Sequence, residues 1–423
     1  MMKVLLSAYA CVPYQGSEQL TGWTYASTLS LNEVEVHCLT QGDGETVIEP
    51  ILANGLFPNL RVHYVRVPQW VDRLYYKGLF GLYFHYLYWQ WQAYRTARQL
   101  NSRERFDLVH HVTYGSIQLG SFMYKLNIPF IFGPVGGGQE APAILKDYFG
   151  KYWRREQLRG LVSRLLQRLN PGFYSSLRRA SRVIVTNKDT YKLAQQFRPK
   201  KPIDWVWDAG LASSFLPDEP VRRTSGNELN LLWVGRLLPR KALELTIHAF
   251  SKVNPAYPIT LTIVGGSGEM SDHLTDYLTR YQVADRVKLA GQVTFQEVRN
   301  FYREADVFVF TSLRDSCPHQ LLEAMAFSLP IITLSLHGQD ELVNDSNGIK
   351  VSIQTKDQVV DELAKAIERM YTHPAERLKM GEAAYQFAKQ EVWDLKIKRF
   401  IDEFYPAALS ATNSKKMYAN EAK

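Results

Sequence analysis

The feature that most constrains this chain is a repeated alternation. Short apolar, β-branched runs are separated by longer helix-like stretches, and the whole series occurs twice. In the first half the runs fall at residues 4–8, 34–39, 60–65, 108–112, 130–132 and 183–186. In the second they fall at 229–234, 260–264, 287–289, 307–311, 331–334 and 349–351. Strands that alternate with helices build parallel sheets covered on both faces. The expectation is therefore an α/β chain of two doubly wound, Rossmann-like domains facing a cleft. At 423 residues the chain is also too long for one ordinary core. The domains read as 1–205 and 229–390, joined by a linker at 206–228 where Pro, Gly, Ser and mixed charges replace the pattern. A C-terminal helix and tail, 391–423, would pack back on the first domain. Such sheets bind ligands at the carboxyl ends of their strands.

Composition excludes several classes. With 46% hydrophobic and 22% charged residues, the chain is neither disordered nor fibrous. Cys11, Cys38 and Cys317 are too few and too scattered for a disulfide framework or a paired metal motif, and fit thiols in a reducing cytoplasm. The opening Met1-Met2-Lys3-Val4-Leu5-Leu6 reads as a buried strand rather than a secretory signal, because the apolar stretch breaks by Pro13. The uncharged stretch 78–94 is interrupted by His85, Gln90 and Gln92, so no membrane span is expected. A net charge of +8 suits phosphorylated ligands or an anionic membrane. No nucleic-acid module is recognisable.

The residues able to do chemistry cluster in the second half. After the run at 307–311, Asp315 stands in a loop, Pro318 marks a helix start and Glu323 follows in the helix. The first-turn N–H groups and the helix dipole suit an anion there. A second loop, Gly235-Arg236, leads to Arg240-Lys241-Ala242. Arg236 offers a bidentate fork and Lys241 a mobile charge for a diphosphate, while Arg240 is expected to face solvent. Val264-Gly265-Gly266-Ser267-Gly268 follows a strand closely enough for backbone to approach a ligand. Gly291-Gln292-Val293-Thr294-Phe295 is placed to form a lip over a nucleobase.

This second half resembles the donor domain of the retaining GT-B glycosyltransferases of family 4. The match runs over about residues 229–390. It rests on Asp315-x7-Glu323 as a variant of E-x7-E, on Gly235-Arg236 with Lys241, and on Leu329-Pro330-Ile331-Ile332 and Gly338-Gln339-Asp340-Glu341 with Asn347-Gly348. The first half resembles the acceptor domain more loosely, through Ala8-Tyr9-Ala10-Cys11, Gly16-Ser17-Glu18 and Gly133-Pro134-Val135-Gly136-Gly137-Gly138. The resemblance implies transfer of a sugar from a nucleotide-diphosphate sugar to a glycan or lipid-linked acceptor, with retention of configuration. It implies that Arg236 and Lys241 hold the diphosphate, with backbone amides at Cys317 and His319 beside it. Glu323 would take the ribose and Asp315 a hydroxyl of the transferred sugar. Gly16, Gly235, Gly265 and Val293 complete the implied binding set.

In the first half the family's D-x-x-H-x-H becomes Asp107-x-x-His110-His111-Val112, which puts Val112 where the family has its last His. His111 is the candidate to replace it at the reacting centre, the alternative being that neither histidine acts. No Asp-x-Asp occurs, so metal-independent chemistry and no cofactor are expected. A dinucleotide oxidoreductase is excluded by the missing GxGxxG after either first strand. A GT-B epimerase and a non-catalytic sugar-nucleotide-binding subunit remain as alternatives. Residues 74–94 are unusually aromatic, and 151–169 place Leu158, Leu161, Leu165 and Leu169 on one stripe beside Arg154, Arg155, Arg159, Arg164 and Arg168. Such segments can seat a cytoplasmic protein on the inner face of a membrane.

Overall fold

The computed structural model describes residues 1–13, 17–223 and 226–411. They form two compact units. The first comprises Met1–Gly138, Val162–Asp208 and the stretch from Trp393; the second comprises Gln139–Leu161 and Ala209–Val392.

The first unit holds a seven-stranded sheet of β1 Met2–Ala8, β2 Val34–Thr40, β3 Leu60–Tyr64, β4 Leu108–Thr113, β5 Phe130–Val135, β6 Arg182–Val185 and β7 Ile203–Trp205, in the order β3-β2-β1-β4-β5-β6-β7. All neighbours pair in parallel. Successive side chains of a strand point to opposite faces, and β1 supplies both cores that way. Val4, Leu6 and Ala8 enter one cluster, and Leu5 and Tyr9 the other.

The segment from Trp393 belongs to the first of these cores. Phe400 is fully buried there, its ring 5.3 Å from that of Tyr25 and 5.1 Å from that of His110. The Tyr405 hydroxyl lies 3.0 Å from His110 Nδ1.

The second unit has six parallel strands, β8 Leu229–Val234, β9 Ile259–Val264, β10 Val287–Gly291, β11 Val307–Phe310, β12 Ile331–Leu334 and β13 Gly348–Val351, in the order β10-β9-β8-β11-β12-β13. The order reverses between β8 and β11, the switch point at which open α/β sheets leave a crevice for ligands.

Two parts of the sequence reading change. Residues 139–161, assigned to the first domain, pack in the second unit, where Leu145, Tyr148 and Phe149 enter its core. The presumed linker is not a loose connection. β7 lies just before it, and the chain beyond is strapped to the second unit. Phe215 is buried against Phe295 at 5.3 Å, and Arg223 donates to the carbonyls of Tyr302, Ala305 and Phe327 at 3.0, 2.6 and 2.7 Å. Polar composition hid this because a guanidinium satisfies many backbone acceptors at once.

Because Phe400 is an integral part of the first core, Phe400→Ala should cost about 3–5 kcal/mol of stability. Urea unfolding followed by circular dichroism checks this; a loss under about 1 kcal/mol would mean the segment is only laid on the surface.

Candidate functional site

At the carboxyl ends of the second sheet, three loops are laced side by side. Gly235 donates its N–H to the Val264 carbonyl at 3.0 Å, and Gly265 donates to the Gly291 carbonyl at 2.8 Å. Gly265 has φ +145°, and a Cβ there would lie 1.9 Å from the Gly235 carbonyl oxygen. Glycine is therefore required by both conformation and space. Val293 follows in the short loop before helix Phe295–Glu304, whose Thr294 and Glu297 form a capping box.

Across the switch point stand β8's loop and β11's loop. Asp315 takes Arg240 on one carboxylate oxygen and Lys241 on the other, each at 2.7 Å. The Leu313 N–H donates to the Arg240 carbonyl at 2.8 Å, and the Ser312 hydroxyl donates to the same oxygen at 3.1 Å. Ala242, in the left-handed region at φ +46°, turns the chain sharply into helix Leu243–Lys252. That turn keeps Lys241 buried, its ammonium 4.8 Å over the Phe310 ring. Burial alone would raise the Asp315 carboxyl, but the Lys241 ammonium and Arg240 guanidinium overcome it and hold the acid well below the ordinary carboxylate range. Burial pulls the Lys241 ammonium down, with Asp315 opposing.

Arg240 was expected in solvent. Instead it is half-buried and completes this triad, because the short helix Pro239–Lys241 turns both cations toward one acid. Arg236 is the exposed cation of the loop, and no ion pair is found for it among the described residues.

Helix His319–Ala326 begins directly after Pro318, the residue before its first turn, whose own side chain offers no cap. Cys317 is buried and His319 half-buried at this entry. Four residues in, Glu323 accepts a hydrogen bond from the Tyr302 hydroxyl at 2.9 Å. Burial raises the Glu323 carboxyl, against the Tyr302 hydroxyl and the Lys241 charge. Tyr302 carried no signal in the sequence beyond being one aromatic residue in an amphipathic helix. Gln339 donates to the Ser312 carbonyl at 2.9 Å, and Gly338 packs so tightly that a Cβ would lie 1.8 Å from the Ser316 carbonyl oxygen. The site is thus gripped from β12's side as well. Arg314 pairs with Glu156 at 2.7 Å, a partner contributed by the 139–161 segment.

Gly235, Arg236, Lys241, Gly265, Val293, Asp315, Cys317, His319 and Glu323 all lie on the loops at the carboxyl ends of this one sheet or on the helix entered from them. Gly16 lies outside the described residues.

His111 is fully buried in the first unit, with Ser7 Oγ 3.3 Å from Nδ1 and the Tyr86 hydroxyl 3.4 Å from Nε2. Burial, helped by His110, lowers its imidazolium to about 3. The ring is thus held neutral and away from solvent in this structure. His110 is also buried, with the Tyr405 hydroxyl 3.0 Å from one ring nitrogen and the Gly133 carbonyl 2.6 Å from the other. What the carboxyl ends of β1 and β4 present instead is a nest of tyrosines. Tyr9, Tyr86 and Tyr114 pack edge to face or tilted with centroids 4.3–5.1 Å apart. The Tyr9 hydroxyl reaches His85 Nδ1 at 2.8 Å, and His85 Nε2 reaches Asp72 at 3.0 Å.

Among the described residues, one group has the spacing of metal ligands, Glu35, His37 and Glu104 in the first unit. The Lys3 ammonium already stands 3.5 and 3.2 Å from its two carboxylates.

Two parallel α/β units with this strap and switch-point site define the class, the GT-B fold. Residues 23–207 match the family described as Glycosyltransferase Family 4, and residues 218–387 match Glycosyl transferases group 1. Among relatives, an uncharacterized glycosyltransferase of Methanocaldococcus jannaschii is 31% identical over 157 residues, 36% of this chain and 40% of that one. One component of the phosphatidylinositol N-acetylglucosaminyltransferase of Homo sapiens is 29% identical over 164 residues, 39% of this chain and 33% of that one. The chain thus spans less than half the length of these relatives. Among solved structures, sucrose-phosphate synthase from Thermosynechococcus elongatus aligns with TM-score 0.67 at 17% identity, over 96% of this chain and 100% of that one. Anabaena HepE in complex with UDP aligns with TM-score 0.60 at 16% identity, over 96% and 100%. At those identities the likeness is one of fold. The fold is therefore GT-B, and its two halves match in turn the family 4 and the group 1 glycosyltransferase models.

Asp315→Asn removes the charge that compensates the buried Lys241 and the half-buried Arg240 and should cost about 3–5 kcal/mol at neutral pH. The contribution of a depressed carboxyl is present above its ordinary value, near 3.9, and is lost as pH falls to the folded-state value. The stability gap between wild type and variant should therefore stay constant from pH 7 to about 5 and narrow only in stronger acid. Urea titrations across that range check it.

Proposed function

We propose that this protein transfers a sugar from a nucleotide-diphosphate sugar to a glycan or lipid-linked acceptor, with retention of configuration and without a metal ion. The observation that carries the reading is the Lys241–Asp315–Arg240 triad at the switch point of the second sheet, with Glu323 on helix His319–Ala326, which is entered from the same loop. A diphosphate leaving group needs its growing charge balanced before the glycosidic bond can break. Lys241, fixed by Asp315, and Arg236, exposed and without an ion pair among the described residues, supply that charge without a metal. The backbone N–H groups at His319 and beyond suit the same anion. Glu323, supported by Tyr302, suits the paired hydroxyls of a ribose.

In this reading the bond from the anomeric carbon to the phosphate oxygen breaks, and the acceptor oxygen bonds to that carbon on the same face. The acceptor's proton passes to the departing phosphate. The fit of this route is that His111 is buried and engaged, so no histidine base is asked to act. Two relatives have names that refer to phosphatidylinositol and to D-inositol 3-phosphate, which favours a lipid or polyol acceptor.

The reading extends to peripheral attachment on an anionic membrane surface. No helix among the described residues is long and apolar enough to cross a bilayer. Helix Gly78–Glu104 and the turn before it expose Tyr76, Phe80, Phe84 and Trp91, while Tyr86 and Trp89 fill the core. Helix Trp153–Leu169 exposes the whole stripe Leu158, Leu161, Leu165 and Leu169, at 49–68% each. Arg154, Arg164 and Arg168 are exposed on the same helix, as is Arg155, which pairs with Glu269 at 3.0 Å. Arg159 leaves the set, since it is tied to Glu156 and to the Gln139 carbonyl, each at 2.9 Å.

Glu323→Ala and Lys241→Ala should each lose about 2–4 kcal/mol of transition-state stabilisation, a roughly 30- to 1,000-fold drop in kcat/KM. Steady-state assays with and without excess EDTA check this; near-wild-type turnover in either variant, or reversible loss on chelation, contradicts it. Sedimentation with anionic vesicles at low salt should capture the protein and release it at high salt, since each arginine contributes about 1 kcal/mol and is screened beyond ~8 Å at physiological ionic strength. Equal, negligible binding to anionic and neutral vesicles would remove the membrane reading.

A further inference from the structure

The second unit carries a cleft that the proposed donor site does not use; Tyr152, on its lining, donates its hydroxyl to the Glu269 carbonyl at 3.3 Å. The cleft holds about 440 Å³ and lies between segment 147–152, helix Leu243–Lys252 and the 270–281 region. That volume falls within the ~300–1,000 Å³ range of small-ligand pockets. Glu244 and His248, four residues apart on one helical face, form one wall. Lys241, which turns inward to Asp315, precedes that helix and takes no part.

The lining has a particular chemistry. His248 stacks on Tyr281 with centroids 4.7 Å apart and 23° between planes, and lies 3.0 Å from the Tyr148 hydroxyl. Tyr152 and Tyr277 also line the cleft, Tyr277 being buried beneath Arg280 at 5.7 Å. Around these rings the charges cancel in pairs. Lys356 meets Asp147 at 2.8 Å, and Arg280 meets Glu244 at 2.9 Å. The Tyr281 hydroxyl donates to Glu244 at 3.1 Å. Of the lining's lysines and arginines only Lys151 lacks an acidic partner among the described residues, and it rests against the Tyr152 ring at 5.3 Å.

A wall whose ions are paired except for Lys151 has one surplus charge, less than the two negative charges of a diphosphate call for, and none to hold an ammonium ion. It does offer apolar ring faces beside fixed donors and acceptors. A pyranose needs both, since its C–H faces are apolar and its hydroxyls edge the ring. We propose that this cleft is a second carbohydrate site, one that binds an uncharged oligosaccharide rather than a nucleotide, and that it anchors a glycan chain outside the donor site. The aromatic rings carry the contact and the two ion pairs orient the hydroxyls.

The test is retention of wild type and variants on immobilised maltoheptaose, cellopentaose and chitopentaose, with inorganic phosphate as competitor. Tyr152→Ala and Tyr281→Ala, both at half-buried positions, should each weaken retention of a neutral glycan at least tenfold with unchanged circular dichroism. Glu323→Ala, crippled in transfer, should retain it fully, which separates this site from the donor site. Retention by none of the three glycans, loss of retention by Glu323→Ala, or displacement by phosphate would each overturn the proposal.

Discussion

One carboxylate organises the second unit's site. Asp315 draws two cations from the loop after β8 onto the loop after β11, and so joins the two strands that flank the sheet's switch point. Burying three charges, even in part, is expensive, and the arrangement is tolerable only because each has a partner at hydrogen-bond distance. The Leu313, Ser312 and Gln339 contacts fix the backbone around it. The consequence for function is geometric. Lys241 cannot wander as a surface lysine would, so in the proposed donor site its charge would meet a ligand with little further cost of ordering.

The neighbouring glycines serve the same end by a different route. Gly265 and Gly338 allow backbone to approach backbone where no side chain would fit. The loops after β8, β9 and β10 therefore form one laced edge rather than three independent segments. Glu323 completes the edge from the helix, held by a tyrosine hydroxyl instead of a cation. Its carboxyl is raised where that of Asp315 is depressed, so two acids eight residues apart have opposite electrostatic surroundings. One is committed to internal charge pairing; the other keeps acceptor capacity for hydroxyl groups.

Much of this was legible in the sequence because it is periodic or local. The twelve apolar runs each became a strand, and the loop residues Gly235, Lys241, Gly265 and Asp315 fell where strands end. β7 was missed because Ile203–Trp205 is only three residues long, too short for its apolar-polar-apolar alternation to stand out. Arg240 was misplaced because sequence spacing gives no direction to a side chain in a short, tight helix. His111 was a candidate from its position in a motif; its ring partners, Ser7 and Tyr86, lie far away in sequence. Residues 139–161 joined the second unit through Tyr148 and through the pairing of Glu156 with Arg314, and long-range packing of that kind leaves no local trace.

The central claim is that Lys241, held by Asp315, binds the diphosphate of a sugar nucleotide. Thermal unfolding of wild type and Lys241→Ala against a panel of UDP-, GDP- and ADP-sugars tests it most directly, because a ligand that binds only the folded state stabilises it by mass action, about 2.7 kcal/mol at a hundred times Kd. The account predicts that one nucleobase series raises the midpoint of the wild type in a concentration-dependent way and leaves that of Lys241→Ala unmoved. Equal stabilisation of both proteins, or of neither by any nucleotide sugar, would contradict it.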